Sequence, residues 1–89
     1  MELQFTHSAQ RDLVRLREFI ADRNPRAAQE VSQRLVTAIK RLVDQPRMGV
    51  PVSGFPGVRD LVAGDYVVRY LLRDNVIHVL YVWHEKENR

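Results

Sequence analysis

Val58-Arg59-Asp60-Leu61-Val62-Ala63-Gly64-Asp65-Tyr66-Val67-Val68-Arg69-Tyr70-Leu71-Leu72-Arg73-Asp74-Asn75-Val76-Ile77-His78-Val79-Leu80-Tyr81-Val82-Trp83 is the stretch that decides the fold. Runs rich in Val, Leu, Tyr and Ile occupy 58–63, 66–72 and 76–83, parted by Gly64-Asp65 and by Arg73-Asp74-Asn75. Branched and aromatic side chains suit a pleated surface, and Gly, Asp and Asn tolerate the positive φ of tight hairpin turns. The expectation is a three-stranded antiparallel meander with two-residue turns at Gly64-Asp65 and Asp74-Asn75.

Side chains alternate between the two faces of a strand, so counting outward from those turns sorts the stretch. One face carries Arg59, Leu61, Ala63, Tyr66, Val68, Tyr70, Leu72, Ile77, Val79, Tyr81 and Trp83. It is apolar apart from Arg59 and is assigned to the core. The other carries Val58, Asp60, Val62, Val67, Arg69, Leu71, Arg73, Val76, His78, Leu80 and Val82, with Asp60 opposite Arg69 in support of the register. Seven of those eleven residues are aliphatic, too many for a sheet face left in water. Either a partner covers this face or the neighbouring loop and first strand shield it. A one-residue slip at a turn would exchange residues between the faces.

Upstream, Glu2 to Thr6 alternate around Leu3 and Phe5 as a short strand does. Ala9, Leu13, Leu16 and Ile20 then form a helical stripe, with Ser8 read as its N-cap and Asp12 near the favourable end of the helix dipole. Asn24-Pro25 punctuates the chain: Asn caps a helix well, and Pro at the first helical position gives up no hydrogen bond. Ala28, Val31, Leu35, Ala38 and Leu42 stripe the second helix, predicted at about 20 residues, or roughly 30 Å. The short link makes the helices an antiparallel hairpin. Gln45 to Gly57, with Pro46, Gly49, Pro51, Gly54, Pro56 and Gly57, reads as a loop without regular structure. The expected fold is α+β, in the order β-α-α-β-β-β: a helical hairpin packed on an antiparallel sheet, forming one domain over residues 1–89.

A chain of 89 residues buries a modest share of its surface, which makes a stabilising partner plausible from size alone. Cysteine is absent, so the chain can form neither disulfides nor thiolate metal sites. No apolar run reaches membrane-spanning length and Met1-Glu2-Leu3-Gln4-Phe5 lacks a signal-peptide pattern, so a soluble, unprocessed cytoplasmic protein is expected. The formal charge is +3, and all of the fourteen cations except Lys40 and Lys86 are arginines. Arginine suits bidentate contacts to phosphate or carboxylate, although a solvated basic surface accounts for the same charge.

His7, His78 and His84 lie too far apart to suggest a metal site, and the serines stand in no nucleophile motif. No glycine-rich loop opens a helix, so no cofactor is expected. The remaining chemical candidates are Arg59, Arg69 and the segment His84-Glu85-Lys86-Glu87-Asn88-Arg89. Arg59 either binds a carboxylate inside the fold or awaits an external anion. His84 either serves acid–base chemistry near neutral pH or belongs to a solvated tail.

Local patterns join these readings: Ala9-x-x-Asp12-Leu13, Phe19-Ile20-Ala21, Asn24-Pro25-x-Ala27-Ala28, Leu42-x-x-x-Pro46-x-x-Gly49, Gly57-Val58-Arg59-Asp60-Leu61, Tyr66-Val67-Val68-Arg69-Tyr70 and Val79-Leu80-x-Val82-x-His84. In this order they resemble the ParE/RelE toxin superfamily across essentially the whole chain, and the Asn-Pro-x-Ala-Ala start of the second helix is similar to the ParE branch. The resemblance implies a ParD-like antitoxin that wraps the toxin, for which Val58, Val62, Val67, Leu71, Leu80 and Val82 are the candidate contacts. ParE-like function implies poisoning of DNA gyrase without catalysis, with Arg59, His84, Lys86 and Arg89 as candidate target contacts. RelE-like function implies cleavage of mRNA on the ribosome, with Arg59, Arg69 and His84 as candidate catalytic groups. The tail lacks the closing Tyr, and the loop lacks the lysine pair, of active nucleases. A third alternative is a non-toxic homologue that binds an antitoxin and regulates transcription.

Overall fold

The computed structural model describes residues 1–87, with elements in the order β1 (Glu2–Phe5), α1 (His7–Arg23), α2 (Pro25–Arg41), β2 (Val50–Pro51), β3 (Val58–Ala63), β4 (Tyr66–Arg73) and β5 (Val76–His84). Asn24 alone separates the helices. It closes α1 through its own N–H to the Ile20 carbonyl, and its side chain opens α2 by accepting from the Ala27 N–H at 3.2 Å. Pro25 fills the first helical position as its missing donor allows. α2 has 17 residues and stops at Arg41, short of the predicted length.

The cap of α1 is Thr6, not Ser8. Thr6 holds an extended backbone at the end of β1, and its hydroxyl accepts from the Ala9 N–H at 3.1 Å while donating to the Leu80 carbonyl at 3.0 Å. One side chain thus ends a strand, starts a helix and ties both to β5. Ser8, already inside the helix, has no such role.

The strands form one five-stranded mixed sheet in the order β1-β5-β4-β3-β2. The meander pairs antiparallel with Ala63 opposite Tyr66, Asp60 opposite Arg69 and Arg73 opposite Val76, so both two-residue turns stand where expected. Positive φ at Asp74 and Asn75, and at Gly64 in the other turn, supplies the twist that tight hairpins need. Two features depart from the purely antiparallel expectation. β1 pairs parallel to β5, Leu3 against Ile77 and Phe5 against Val79. Within the Pro/Gly loop, Val50 and Pro51 form a short edge strand against Asp60 and Arg59, a place where proline's missing N–H is tolerated.

The register also changes midway along β5. Tyr70 pairs with Val79 but Arg69 pairs with Tyr81, leaving Leu80 as an extra residue. An inserted residue reverses the alternation beyond it. Val82, expected on the open face, is therefore fully buried opposite Val68, while Tyr81 and Trp83, expected in the core, lie on the open face. Val82 is corrected from a partner-contact candidate to a core residue.

Ala9, Leu16, Leu35, Ile39 and Leu42 from the helices meet Leu61, Tyr66, Val68, Tyr70, Ile77, Val79 and Val82 from the sheet in a single buried cluster. All the helical mass lies on this side, so the opposite sheet face has no helix over it. Val62 is 66% exposed, Val50 68% and Tyr81 40%.

Candidate functional site

Three groups of residues could carry function, and the sheet sets their separation. The first is the anchored loop beyond α2. The Tyr70 hydroxyl, on the core face of β4, donates to the Pro46 carbonyl at 2.8 Å and accepts from the Gly49 N–H at 2.9 Å. Burial pushes the Tyr70 phenol up, opposed by the Gly49 hydrogen bond. Arg59, beside it on β3, donates from Nη1 to the carbonyls of Gly49 at 2.7 Å and Arg47 at 3.1 Å. Of the two roles considered for Arg59, its inward bonds go to loop carbonyls and not to a carboxylate.

The second group lies on the open face. Arg69 binds Asp60 through two parallel bonds, Nε to Oδ1 at 2.8 Å and Nη2 to Oδ2 at 3.0 Å, and its guanidinium stands 5.2 Å from the centroid of the Trp83 ring. The bond to Asp60 raises the Arg69 pKa against the opposing effect of burial. Around this group lie Val58, Val62, Val67 and Leu71 of β3 and β4, with Leu80 and Tyr81 at the bulge. Leu71 meets the Gly57 turn, where a Cβ on residue 57 would come within 3.2 Å of its side chain, so the loop covers only one end of the face.

The third group is the C-terminal end of β5. His84 pairs with Tyr66 in the ladder, the two rings meeting edge to face at 5.1 Å. Its Nδ1 accepts from the Lys86 N–H at 3.1 Å, and the Glu85 N–H donates to the Asp65 carbonyl at 2.8 Å. Arg15 of α1 holds Glu87 at 2.6 Å and Asp12 at 3.2 Å, and these bonds, Glu87 first, raise its pKa. Asp12 is buried and accepts from the Val82 N–H at 2.9 Å, so it caps the part of β5 that β1 is too short to reach. Burial also pushes the Tyr66 phenol up.

The residues proposed for nuclease chemistry do not converge. Arg59 and His84 sit beside Tyr70 and Tyr66, four positions apart on β4, or about 13 Å of strand. Arg69 belongs to the other sheet face, beside Trp83. Lys86 lies in the turn after β5, and Arg89 falls outside the described residues. The sequence reading named Asp12, Gly49 and Tyr70 without foreseeing their contacts, and passed over Arg15. A signal for Asp12 existed: it stands three residues after Ala9 on the apolar side of the helix, where an acid must find a partner.

Comparison with known proteins fits this architecture. The chain is 34% identical over 85 residues to Toxin RelE1 of Caulobacter vibrioides, spanning 91% of this chain and 89% of the relative. It is 32% identical over 84 residues to Toxin RelE2 of the same organism, covering 93% of each. Among solved structures, the chromosomal ParDE system from P. aeruginosa superposes with a TM-score of 0.82 at 26% identity, covering 94% of this chain and 95% of that one. The RelBE2 toxin–antitoxin complex from Mycobacterium tuberculosis superposes at 0.67, also with 26% identity, covering 97% and 92%. The family model described as the ParE toxin of the type II toxin–antitoxin system parDE matches residues 3–89, and the chain belongs to that family, within the ParE/RelE toxin superfamily.

Proposed function

We propose that the chain is a ParE-like toxin that acts in the cytoplasm by poisoning DNA gyrase and is neutralised by a ParD-like antitoxin. The dispersal of Arg59, Arg69 and His84 carries this reading. General acid–base cleavage needs its groups within hydrogen-bond reach of one reacting centre, and here they occupy two faces and distant ladder positions. Arg69 is further committed to Asp60, which lowers its value for a migrating phosphate charge. The closer superposition on the ParDE structure than on RelBE2 points the same way.

The antitoxin is assigned to the open sheet face, on Val58, Val62, Val67, Leu71 and Leu80, joined by Tyr81 and Trp83 in place of Val82. An extended or helical segment laid there buries apolar surface that the 89-residue fold leaves in water. Target contacts are assigned to Arg59, His84 and Lys86, with Arg89 beyond the described residues.

Purified protein tested in parallel on gyrase supercoiling and on in vitro translation decides the matter. Inhibited supercoiling with persistent cleaved DNA and intact mRNA is expected. Codon-phased mRNA cuts with unaffected gyrase would instead establish a ribosome-dependent mRNA nuclease, the second reading, which the curated relatives named RelE1 and RelE2 favour. Activity in neither assay, with antitoxin still bound, would leave a non-toxic antitoxin-binding homologue.

A further inference from the structure

Beside β2 a cleft of about 530 Å³ opens between the 52–57 loop and the start of β3, lined by Arg47, Val52, Phe55, Pro56, Arg59 and Leu72 among others. We infer that this cleft is a docking site for a protein segment that offers an apolar side chain next to a carboxylate. The assignment goes beyond the toxin reading and does not depend on which enzyme the toxin attacks.

The loop that forms the cleft is built rather than loose. The Val52 N–H bonds the Val58 carbonyl at 2.9 Å, the Leu72 N–H bonds the Gly57 carbonyl at 2.9 Å, and Gly54 and Gly57 take the positive φ that these tight turns require. Tyr70 and Arg59 hold its stem from below. A loop already fixed in shape loses little entropy when a ligand arrives. This loop nonetheless holds Phe55 62% exposed beside Pro56, at the wall of the cleft. Exposed aromatics on rigid supports are the usual anchors of protein interfaces.

The charges indicate what completes the ligand. Among the described residues neither Arg47 nor Arg59 has a carboxylate within ion-pair distance. Both hydrogen bonds of Arg59 run through Nη1, leaving Nε and Nη2 available. A planar guanidinium with two free donors matches a carboxylate. Two cations beside apolar walls are too few for a nucleic-acid strand, which calls for cations spaced along its phosphates.

Fluorescence anisotropy of the full chain with a short fluorescein-labelled peptide of alternating leucine and glutamate tests the inference. Arg47→Gln and Phe55→Ala should each weaken binding about tenfold, the loss of a single anchor, while Arg11→Gln on α1 leaves it unchanged. Circular dichroism melts of all three variants should match the parent, since these side chains are exposed. The inference is overturned by any of four results: equal binding of the glutamine version of the peptide, an equal loss in Arg11→Gln, tighter binding of oligothymidylate, or no peptide binding up to about 1 mM. Gyrase and translation assays do not enter the test, so its failure leaves the toxin reading standing.

Discussion

The Gly49 amide donates to the Tyr70 hydroxyl at 2.9 Å, yet a Cβ on residue 49 would lie 2.7 Å from that same oxygen and 2.9 Å from the Asp60 carbonyl. The hydrogen bond and the missing side chain are one device: the loop can approach the core tyrosine only where the backbone is bare. Gly49→Ala should therefore destabilise the protein by about 1–3 kcal/mol through overpacking. Tyr70→Phe should cost a similar amount, about 1–3 kcal/mol, by stranding the buried Gly49 N–H. Urea unfolding monitored by Trp83 fluorescence measures both, and a neutral Gly49→Ala would show that the loop stem is not held as described.

Asp12 joins α1 to β5 by accepting from the Val82 N–H and pairing with Arg15. Asp12→Ala leaves a buried amide without an acceptor and should cost about 1–3 kcal/mol. Asp12→Asn keeps an acceptor oxygen and should lose less. Hydrogen exchange at the Val82 amide separates the cases: it should quicken strongly in the alanine variant and modestly in the asparagine variant.

The bulge at Leu80 predicts opposite outcomes for two valines that simple alternation places together. Val82→Ala should destabilise by about 1.5–3 kcal/mol, because Val82 is fully buried. Val62→Glu should change stability by less than about 0.5 kcal/mol, given its exposure, but should sharply weaken antitoxin binding. Thermal melts and isothermal titration of the cognate antitoxin read the two effects. A stable Val82→Ala variant that loses antitoxin binding would restore the unbulged register.

Tyr66 and Tyr70 both have phenol pKa values raised by burial above the ordinary 10.0. The unfolded chain releases these protons first, so their contribution to stability is intact below about pH 10 and declines as the pH rises through the folded-state values. Melting temperature should fall steeply above about pH 10. The fall should be shallower in Tyr70→Phe, whatever that variant's stability at neutral pH, and an unchanged slope would mean that Tyr70 ionises as freely folded as unfolded.

How much of this was legible in the sequence differed from element to element. The Asn24-Pro25 junction, both hairpin turns and the Asp60–Arg69 pair stand where the sequence put them. The second sheet face is free of helices as read, but Tyr81 and Trp83 stand on it in place of Val82. The cap of α1 was misplaced by two residues, since Ser is the better cap in isolation but only Thr6 also reaches Leu80. The candidate site residues do not form one cluster: Arg59 turns toward the loop, and Arg69 and His84 take opposite faces.

Backbone preference is local, and therefore a string of residues was enough to determine two helices, two tight turns and a meander. Proline fixes its own φ, and glycine, aspartate and asparagine accept positive φ, wherever the rest of the chain lies. Only the tertiary structure decided that β1 joins β5 in parallel, that an extra residue at Leu80 moves Val82 into the core, and that Asp12 takes over where β1 ends. The first and last depend on contacts between residues some 70 positions apart, such as Asp12 and Val82, and the bulge on how β4 and β5 settle against the packed helices, geometry that exists only once helix and sheet have met.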